Sequence, residues 1–414
     1  MMKTQQILSK EVEKIKPDEQ ETARLNEKIK KIVDSLNKKL KGKASVMLGG
    51  SFAKNTVIKK DRYDADIFAR FFKNPDSDLL EKILKSLKLK PERLHGSRDY
   101  FLIKEKDIFI EVVPIINLKK SQTEKAVNVT DVSPFHVSYI IKKIQKNPKL
   151  ADEIRLAKAF CYAIGCYGAE SHIRGFSGYC LEVLVSYYGN FMNLIKASAK
   201  WRDKAIIDPE KYYKNKDEIL RELNESKLIS PLVIVDPVQK NRNISAALSE
   251  EKFALFKEMA KKFSSHPSSR FFEKIDIEKN ILEEAKKSKK ELLVIDAESE
   301  KEKEDIAGAK LLKFFNILRA RLEKEGYSAK SEIKFTGNRA KFYFLLSKKD
   351  MLINGPFLDM KKHVENFKKA WKKTIIRGKR IAAVKKASEI SWKNAIKFEK
   401  NVLKEISIKK FRAI

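Results

Sequence analysis

Asp64 and Asp66 stand about a dozen residues after Gly49-Gly50-Ser51, and a further acid, Glu111, lies in the run Ile108-Phe109-Ile110-Glu111-Val112-Val113-Pro114. Acids at i and i+2 of an extended segment point to one face, about 7 Å apart. Two like charges on one face repel, so bare structure rarely wants them. A hard divalent cation does: Mg²⁺ takes oxygen ligands at about 2.1 Å and is commonly held by one or two carboxylates plus substrate phosphates. Three carboxylates at the strand ends of one small domain can hold two such ions about 4 Å apart. One ion would activate an attacking hydroxyl and the other would hold a triphosphate and its leaving pyrophosphate. The plainer reading is a set of acids on an exposed strand face.

Other residues could serve the same chemistry. Gly49-Gly50-Ser51 follows an apolar run, where glycine allows a backbone to approach a phosphate; the same tripeptide is also a common turn. Lys158, in Glu153-Ile154-Arg155-Leu156-Ala157-Lys158, precedes Tyr167 and Arg174. Such residues neutralise or donate to phosphates, or they form a solvated helix face. His136 in Pro134-Phe135-His136 is a functional imidazole or a satisfied structural one. Arg242-Asn243 follows Asp236-Pro237-Val238; its guanidinium could face a phosphate or a base edge, and a capped helix start is the bland alternative. The C-terminal third carries Lys361-Lys362, Lys372-Lys373, Arg377-Gly378-Lys379-Arg380 and Lys385-Lys386, interleaved with Phe367, Trp371 and Trp392. A broad basic surface suits an RNA duplex, which is recognised by shape and backbone. The aromatic spacing fits core packing better than base stacking.

The rest of the chain must position these groups. Its 414 residues exceed one core, so about three domains are expected. The formal net charge is +33, which repels itself unless a polyanion, nucleic acid above all, offsets it. A basic surface from thermal adaptation is the alternative. Three cysteines, Cys161, Cys166 and Cys180, make neither a disulfide framework nor a zinc site and fit a reducing cytoplasm. The first residues lack the apolar core of a signal peptide. The longest apolar stretch, 178–195, carries Glu182 and reads as a buried helix, so no membrane partner is expected.

Residues 4–41 read as helical with a restart at Pro17, followed by a strand over 44–48, a strand over 64–72, a helix over 76–89 and strands over 99–104 and 107–113. This is a compact mixed-sheet α/β domain. From Pro134 the spacing turns helical over 137–146, 150–165, 176–196 and 215–226, with a short extended segment at 231–235 and a helix over 249–264. Then come a strand over 291–296, a solvated loop over 298–305, a helix over 303–325 and a hairpin over 327–346 about Gly337-Asn338. A helix over 358–373, a small hairpin about Gly378 and a helix over 388–405 complete the reading.

The motifs together resemble those of the archaeal-type (class I) CCA-adding enzymes, tRNA nucleotidyltransferases of the polymerase-β superfamily. Gly50-Ser51 with Asp64-Ala65-Asp66 is similar to the superfamily's GS…DxD signature, and Glu111-Val112-Val113-Pro114 sits where its third carboxylate belongs. Asp131-Val132-Ser133-Pro134-Phe135-His136 resembles the family's D-R-[ST]-P-F-H segment. Tyr167-Gly168-Ala169-Glu170 with Arg174-Gly175-Phe176-Ser177-Gly178-Tyr179 is its most specific run, and Asp236-Pro237-Val238 with Arg242-Asn243 resembles D-P-x-x-x-x-R-N. Gly355-Pro356 and His363-Val364-Glu365-Asn366-Phe367 resemble its tail. The chain departs from the family in having Glu at 111, Asp at 64 and one extra residue between Ser51 and Asp64, and its body near 298–305 looks shortened.

The resemblance implies an α+β multidomain fold. Its parts would be a polymerase-β-like nucleotidyltransferase head (1–140), a helical neck (141–265), a ferredoxin-like RNA-binding body (266–355) and a small α/β tail (356–414). It implies Asp64, Asp66 and Glu111 as catalytic metal ligands for two Mg²⁺ ions. Gly50, Ser51, Lys54, His136, Lys158, Tyr167 and Arg242 would bind the nucleotide, with Arg242 reading C against A. Arg174, Arg377, Lys379 and Arg380 would bind RNA. The substrates would be CTP, ATP and tRNA, gripped along the acceptor stem and TΨC side, in the cytoplasm; a homodimer is open. The alternatives are a relaxed terminal transferase (C-only, A-only or poly(A)-type) and a tRNA-binding homologue without catalysis.

Overall fold

A computed structural model gives the structure of the chain; it describes residues 2–60, 62–96, 98–126, 128–300, 304–348, 350–371, 373–386, 392–396 and 406–413. The chain divides into two compact units, Met1–Lys274 and Ile275–Ile414.

The first unit opens with α1 (Met2–Ile15) and α2 (Glu19–Lys39), where Asp18 caps α2 by accepting from the Gln20 and Glu21 N–H groups. There follow β1 (Ala44–Leu48), a single turn α3 (Gly50–Ala53), β2 (Tyr63–Phe71), α4 (Ser77–Ser86), β3 (Pro91–Leu94), β4 (Tyr100–Lys104) and β5 (Ile108–Ile116). The five strands form one sheet in the order β1-β2-β5-β4-β3, with β2 and β5 parallel and the other pairs antiparallel. Alternation along β2 sends Tyr63, Ala65, Ile67 and Ala69 to one face, where they pack with Leu25, Ile29 and Leu36 of α2 and Leu80 of α4. The opposite face carries Asp64 and Asp66. Further along that face Phe68 packs with Ile115 and with Val137 of α5 (Ser133–Lys146), so a helix covers the far half and leaves the acids uncovered.

The rest of the unit comprises α6 (Leu150–Ala163), α7 (Gly178–Tyr188), α8 (Phe191–Ser198), β6 (Ala205–Ile207), α9 (Lys216–Glu222), α10 (Glu225–Leu228), β7 (Leu232–Ile234) and α11 (Glu250–Ser265). Eleven of the fourteen residues of α6 are buried, so the helix runs through the middle of this core. Phe160 is fully enclosed, its ring 5.7 Å from that of Phe191 and 5.8 Å from that of Phe263. The single helix expected over 176–196 is in fact two. Gly189 ends α7 in the left-handed region (φ 85°), and the Asn190 side chain caps α8. The helix expected over 215–226 likewise splits at Leu223-Asn224.

The second unit contains α12 (Ile277–Ser288), β8 (Glu291–Ser299), α13 (Glu304–Lys324), β9 (Tyr327–Thr336), β10 (Arg339–Lys348), β11 (Met351–Phe357), α14 (Lys361–Ala370), β12 (Thr374–Arg377), β13 (Arg380–Lys385) and β14 (Ile406–Ala413). Four strands pair in the order β14-β8-β10-β9, and three in the order β11-β13-β12. β14 therefore returns to the sheet of β8. The expected loop over 298–305 begins later than read, because β8 continues to Ser299 opposite Asn338; residues 301–303 lie outside the described residues. The helix expected over 388–405 also lies mostly outside them, as does Lys372. Trp392 packs on the core of the β8 sheet and donates to Glu291 at 2.6 Å, a structural role. Among the described residues no helix is long and apolar enough to cross a membrane.

Truncating Phe160 to alanine removes a ring that five other phenylalanine rings surround. Chemical denaturation of Phe160→Ala is expected to show a stability loss of about 3–5 kcal/mol.

Candidate active site

Strand register decides where the acids go. Asp66 pairs directly with Glu111 across the parallel β2–β5 ladder, and Asp64 with Phe109. In a parallel pair, partners point to the same face, so all three acids share the face opposite the core. Asp64 is exposed and its carboxylate lies 3.3 Å from the Lys60 ammonium. Asp66 is half-buried. Burial pushes its carboxyl above the ordinary range; Lys54 opposes the rise, while Asp64 and Glu182 add to it. The turn after β1 comes hard against this carboxylate. Gly50 holds φ +57°, and a Cβ there would fall 1.8 Å from Asp66 Oδ2. Only glycine lets the loop approach so closely.

Asp64 and Asp66 thus fit a hard divalent cation: two oxygen donors on one face, a strained anionic charge, and a cavity beside them for further ligands. Among the described residues no three His, Cys, Asp or Glu side chains lie close enough to hold an ion on their own. Glu111 shares the face and the register.

The cavity, of about 230 Å³, is walled by Gly50, Ser51, Lys54, Asp64 and Asp66 on one side and by Lys158, Tyr167, Tyr179 and Glu182 on the other. It lies within the first unit, between the sheet end and the helices α6 and α7. Five of the expected residues, Gly50, Ser51, Lys54, Lys158 and Tyr167, therefore meet here with Asp64 and Asp66. Burial pushes the Tyr167 phenol well up, so it stays a protonated donor. The sequence reading missed two members of the wall. Thr56, fully buried, and Glu182, also buried, bind the two lysines: Glu182 Oε2 accepts from Lys54 Nζ at 2.6 Å and Oε1 from Lys158 Nζ at 2.8 Å. A charge inside the apolar helix 178–188 was the available signal, since such a residue must find partners.

His136 and Arg242 meet at a second buried acid. Asp236 accepts from Arg242 Nη1 at 2.8 Å, from the Val238 N–H at 2.9 Å and from the Tyr179 hydroxyl at 3.2 Å, and its Oδ2 lies 2.9 Å from His136 Nε2. Burial alone would raise the Asp236 carboxyl, but His136, Arg242 and the Val238 N–H hold it below its ordinary range. The Tyr179 ring lies 4.2 Å from the His136 ring and also lines the cavity, so it joins this hub to that cavity. Asp131, buried, is clasped by both terminal nitrogens of Arg98 and accepts from the Ile116 N–H at 2.9 Å. That clasp fastens the turn before α5 to the end of β5, and Arg98 is another residue the sequence reading passed over.

The basic candidates go elsewhere. Arg174 is exposed, at φ 56° in the loop between Tyr167 and Phe176, and is not among the cavity's walls. Arg377, Lys379 and Arg380 form the exposed β12–β13 hairpin of the second unit, with the Arg380 guanidinium 3.8 Å over the Phe357 ring.

Residues 152–273 match the family model for the second domain of tRNA nucleotidyltransferases, and residues 2–139 match that of the Second Messenger Oligonucleotide or Dinucleotide Synthetase domain. A CCA-adding enzyme of Nanoarchaeum equitans is 38% identical over 286 residues, covering 68% of each chain. One of Methanocaldococcus jannaschii is 34% identical over 283 residues, covering 65% of this chain and 61% of the relative. Among solved structures, a cytoplasmic RNA terminal U-transferase superposes with a TM-score of 0.53 at 12% identity, covering 67% of this chain and all of that one. That likeness shows a nucleotidyltransferase fold. Because Gly50→Ala would push on the Asp66 carboxylate, Mn²⁺ titration of that variant is expected to show affinity weakened by about tenfold to a hundredfold.

Proposed function

Since this chain belongs to the archaeal-type CCA-adding enzymes, we propose that it adds and repairs the 3′-terminal CCA of tRNA from CTP and ATP without a nucleic-acid template. The reading rests on one observation above the others: Asp64-x-Asp66 and two buried lysines face a single cavity at the end of the β2–β5 ladder.

In this proposal Asp64 and Asp66 hold Mg²⁺, with Glu111 completing the site beside the primer hydroxyl. When bound, the divalent ions activate the tRNA 3′-hydroxyl and neutralise charge on the triphosphate. The chain's own groups do the positioning. The Ser51 hydroxyl and the Tyr167 phenol donate to phosphate oxygens, and Lys54 and Lys158 supply fixed positive charge. The 3′-oxygen attacks the α-phosphate and pyrophosphate leaves. Catalysis is therefore mostly orientation and preorganised charge. His136 and Arg242, anchored by Asp236, face the incoming base, and Tyr179 couples them to the phosphate end.

The remaining assignments are part of the same proposal. Residues 1–140 serve as the head and 141–265 as the neck. The β8–β10 sheet, whose order is that of a ferredoxin-like fold when β14 is counted, serves as the body, and β11–β13 with α14 as the tail. Arg174 and the hairpin Arg377, Lys379 and Arg380 bind the acceptor stem and TΨC side through phosphates, which suits the net charge of +33. The three buried thiols suit a reducing cytoplasm.

Incorporation assays on tRNAs ending before each of the three terminal positions, with CTP or ATP alone, test the reading. The wild type is expected to add C, C and A in order. Asp66→Ala is expected to lose both CMP and AMP incorporation while keeping tRNA affinity in a gel-shift titration. Retained incorporation would refute the metal-holding role, and disordered addition would point to a relaxed transferase.

A further inference from the structure

Glu182 lies in α7, far in sequence from the turn that carries Lys54 and Thr56, and only 1% of it is exposed. Its carboxylate accepts three side-chain hydrogen bonds: from Lys54 Nζ at 2.6 Å, from Lys158 Nζ at 2.8 Å and from Thr56 Oγ1 at 3.1 Å. Lys158 Nζ also reaches Thr56 Oγ1 at 2.9 Å and the Thr56 carbonyl at 3.2 Å. An ammonium has three N–H groups, so those of Lys158 are all spent inside the protein. Lys158 thus offers the cavity a held charge rather than a free donor. A buried ion pair contributes little net stability compared with apolar packing. All four residues nevertheless line the cavity that faces Asp66.

We propose that Glu182 is a positioning residue for nucleotidyl transfer, its single buried carboxylate holding Lys54, Lys158 and Thr56 together as the cationic wall that receives the triphosphate. The proposal deepens the functional reading above and rests on it. Two ammonium groups packed this closely repel, and Glu182 is the anion between them. Burial pushes the Lys158 ammonium down to about 8; Glu182 opposes that fall, while Lys54 and Arg155 add to it. Tyr167 and Asp66 also border the space. Without the charge on Glu182, Lys158 sheds its proton at neutral pH and the wall loses a cation. The sign follows: protonated Lys158 is the binding form, so the loss grows as pH rises and is undone as pH falls.

The test is kcat/KM for CTP on tRNA lacking its last two nucleotides, since this ratio reports groups of the free enzyme. Wild type and Glu182→Gln are compared from about pH 6 to about pH 9. The ratio of variant to wild type is expected to be near one at about pH 6, to fall about fivefold by about pH 8 and to approach a tenfold loss by about pH 9, as a one-unit displacement of the controlling ionisation requires. A ratio that stays at one throughout overturns the proposal. So does a loss of equal size at every pH, which marks a purely structural tie. If Glu182→Gln does not fold, the double variant Glu182→Gln/Lys158→Met, which removes one charge of each sign, takes its place. It is expected to fold and to show kcat/KM well below the wild type at about pH 6, with the gap narrowing toward about pH 9 as Lys158 of the wild type loses its own proton; full wild-type efficiency in it at about pH 6 overturns the proposal. Failure of the wild type itself to incorporate CMP would fall on the functional reading instead.

Discussion

The parallel pairing of β2 with β5 is the constraint on which the rest depends. It sets Asp66 beside Glu111 and turns Asp64, Asp66 and Glu111 to the face away from α2 and α4. The side-chain period of a strand is two, so a slip of one residue would bury the acids in the core and expose Ala65 and Ile67. Burial of Tyr63, Ala65, Ile67 and Ala69 therefore enforces the chemistry on the opposite face. Phe68, Ile115 and Val137 close the far half of that face, which limits the open part to the end where the acids stand.

Around that end the chain uses the same device twice: one buried carboxylate serving several donors from distant segments. Glu182 ties the turn after α3 to α6 and α7, and Asp236 ties α5 to the turn beyond β7. Each hub costs desolvation that its partners offset only while every partner is in place. Tyr179 belongs to both neighbourhoods. Its hydroxyl donates to Asp236 and it lines the cavity that Glu182 borders, so the two buried hubs meet at one side chain.

The sequence made the acids legible because strand alternation shows them without a fold. Residues 44–48 form the strand expected there, and the helices over 150–163 and 250–265 follow their apolar spacing closely. The placing of Lys158 and Tyr167 came from motif resemblance, since spacing alone leaves a lysine on a helix ambiguous. Glu182 stayed unread because its two lysines lie 128 and 24 residues away, and no local pattern carries such pairing. Asp236 was read only as part of a motif for the same reason, since His136 lies 100 residues away. Other misses had local signals: Gly189-Asn190 spells a helix stop followed by a cap. β3 begins at Pro91 and β11 contains Gly355-Pro356 beside a bulge; both are edge strands, where proline is tolerated and alternation fades.

β14 shapes how the second unit is made. In the finished sheet β8 is an inner strand, flanked by β10 and by residues 406–413. Those residues leave the ribosome more than a hundred positions after β8 begins. Until they arrive β8 is an open edge of the apolar run Leu292-Leu293-Val294-Ile295, a surface that invites pairing with another nascent chain. Removing β14 would leave that vulnerability permanent, so residues 406–413 act as the unit's guard against aggregation.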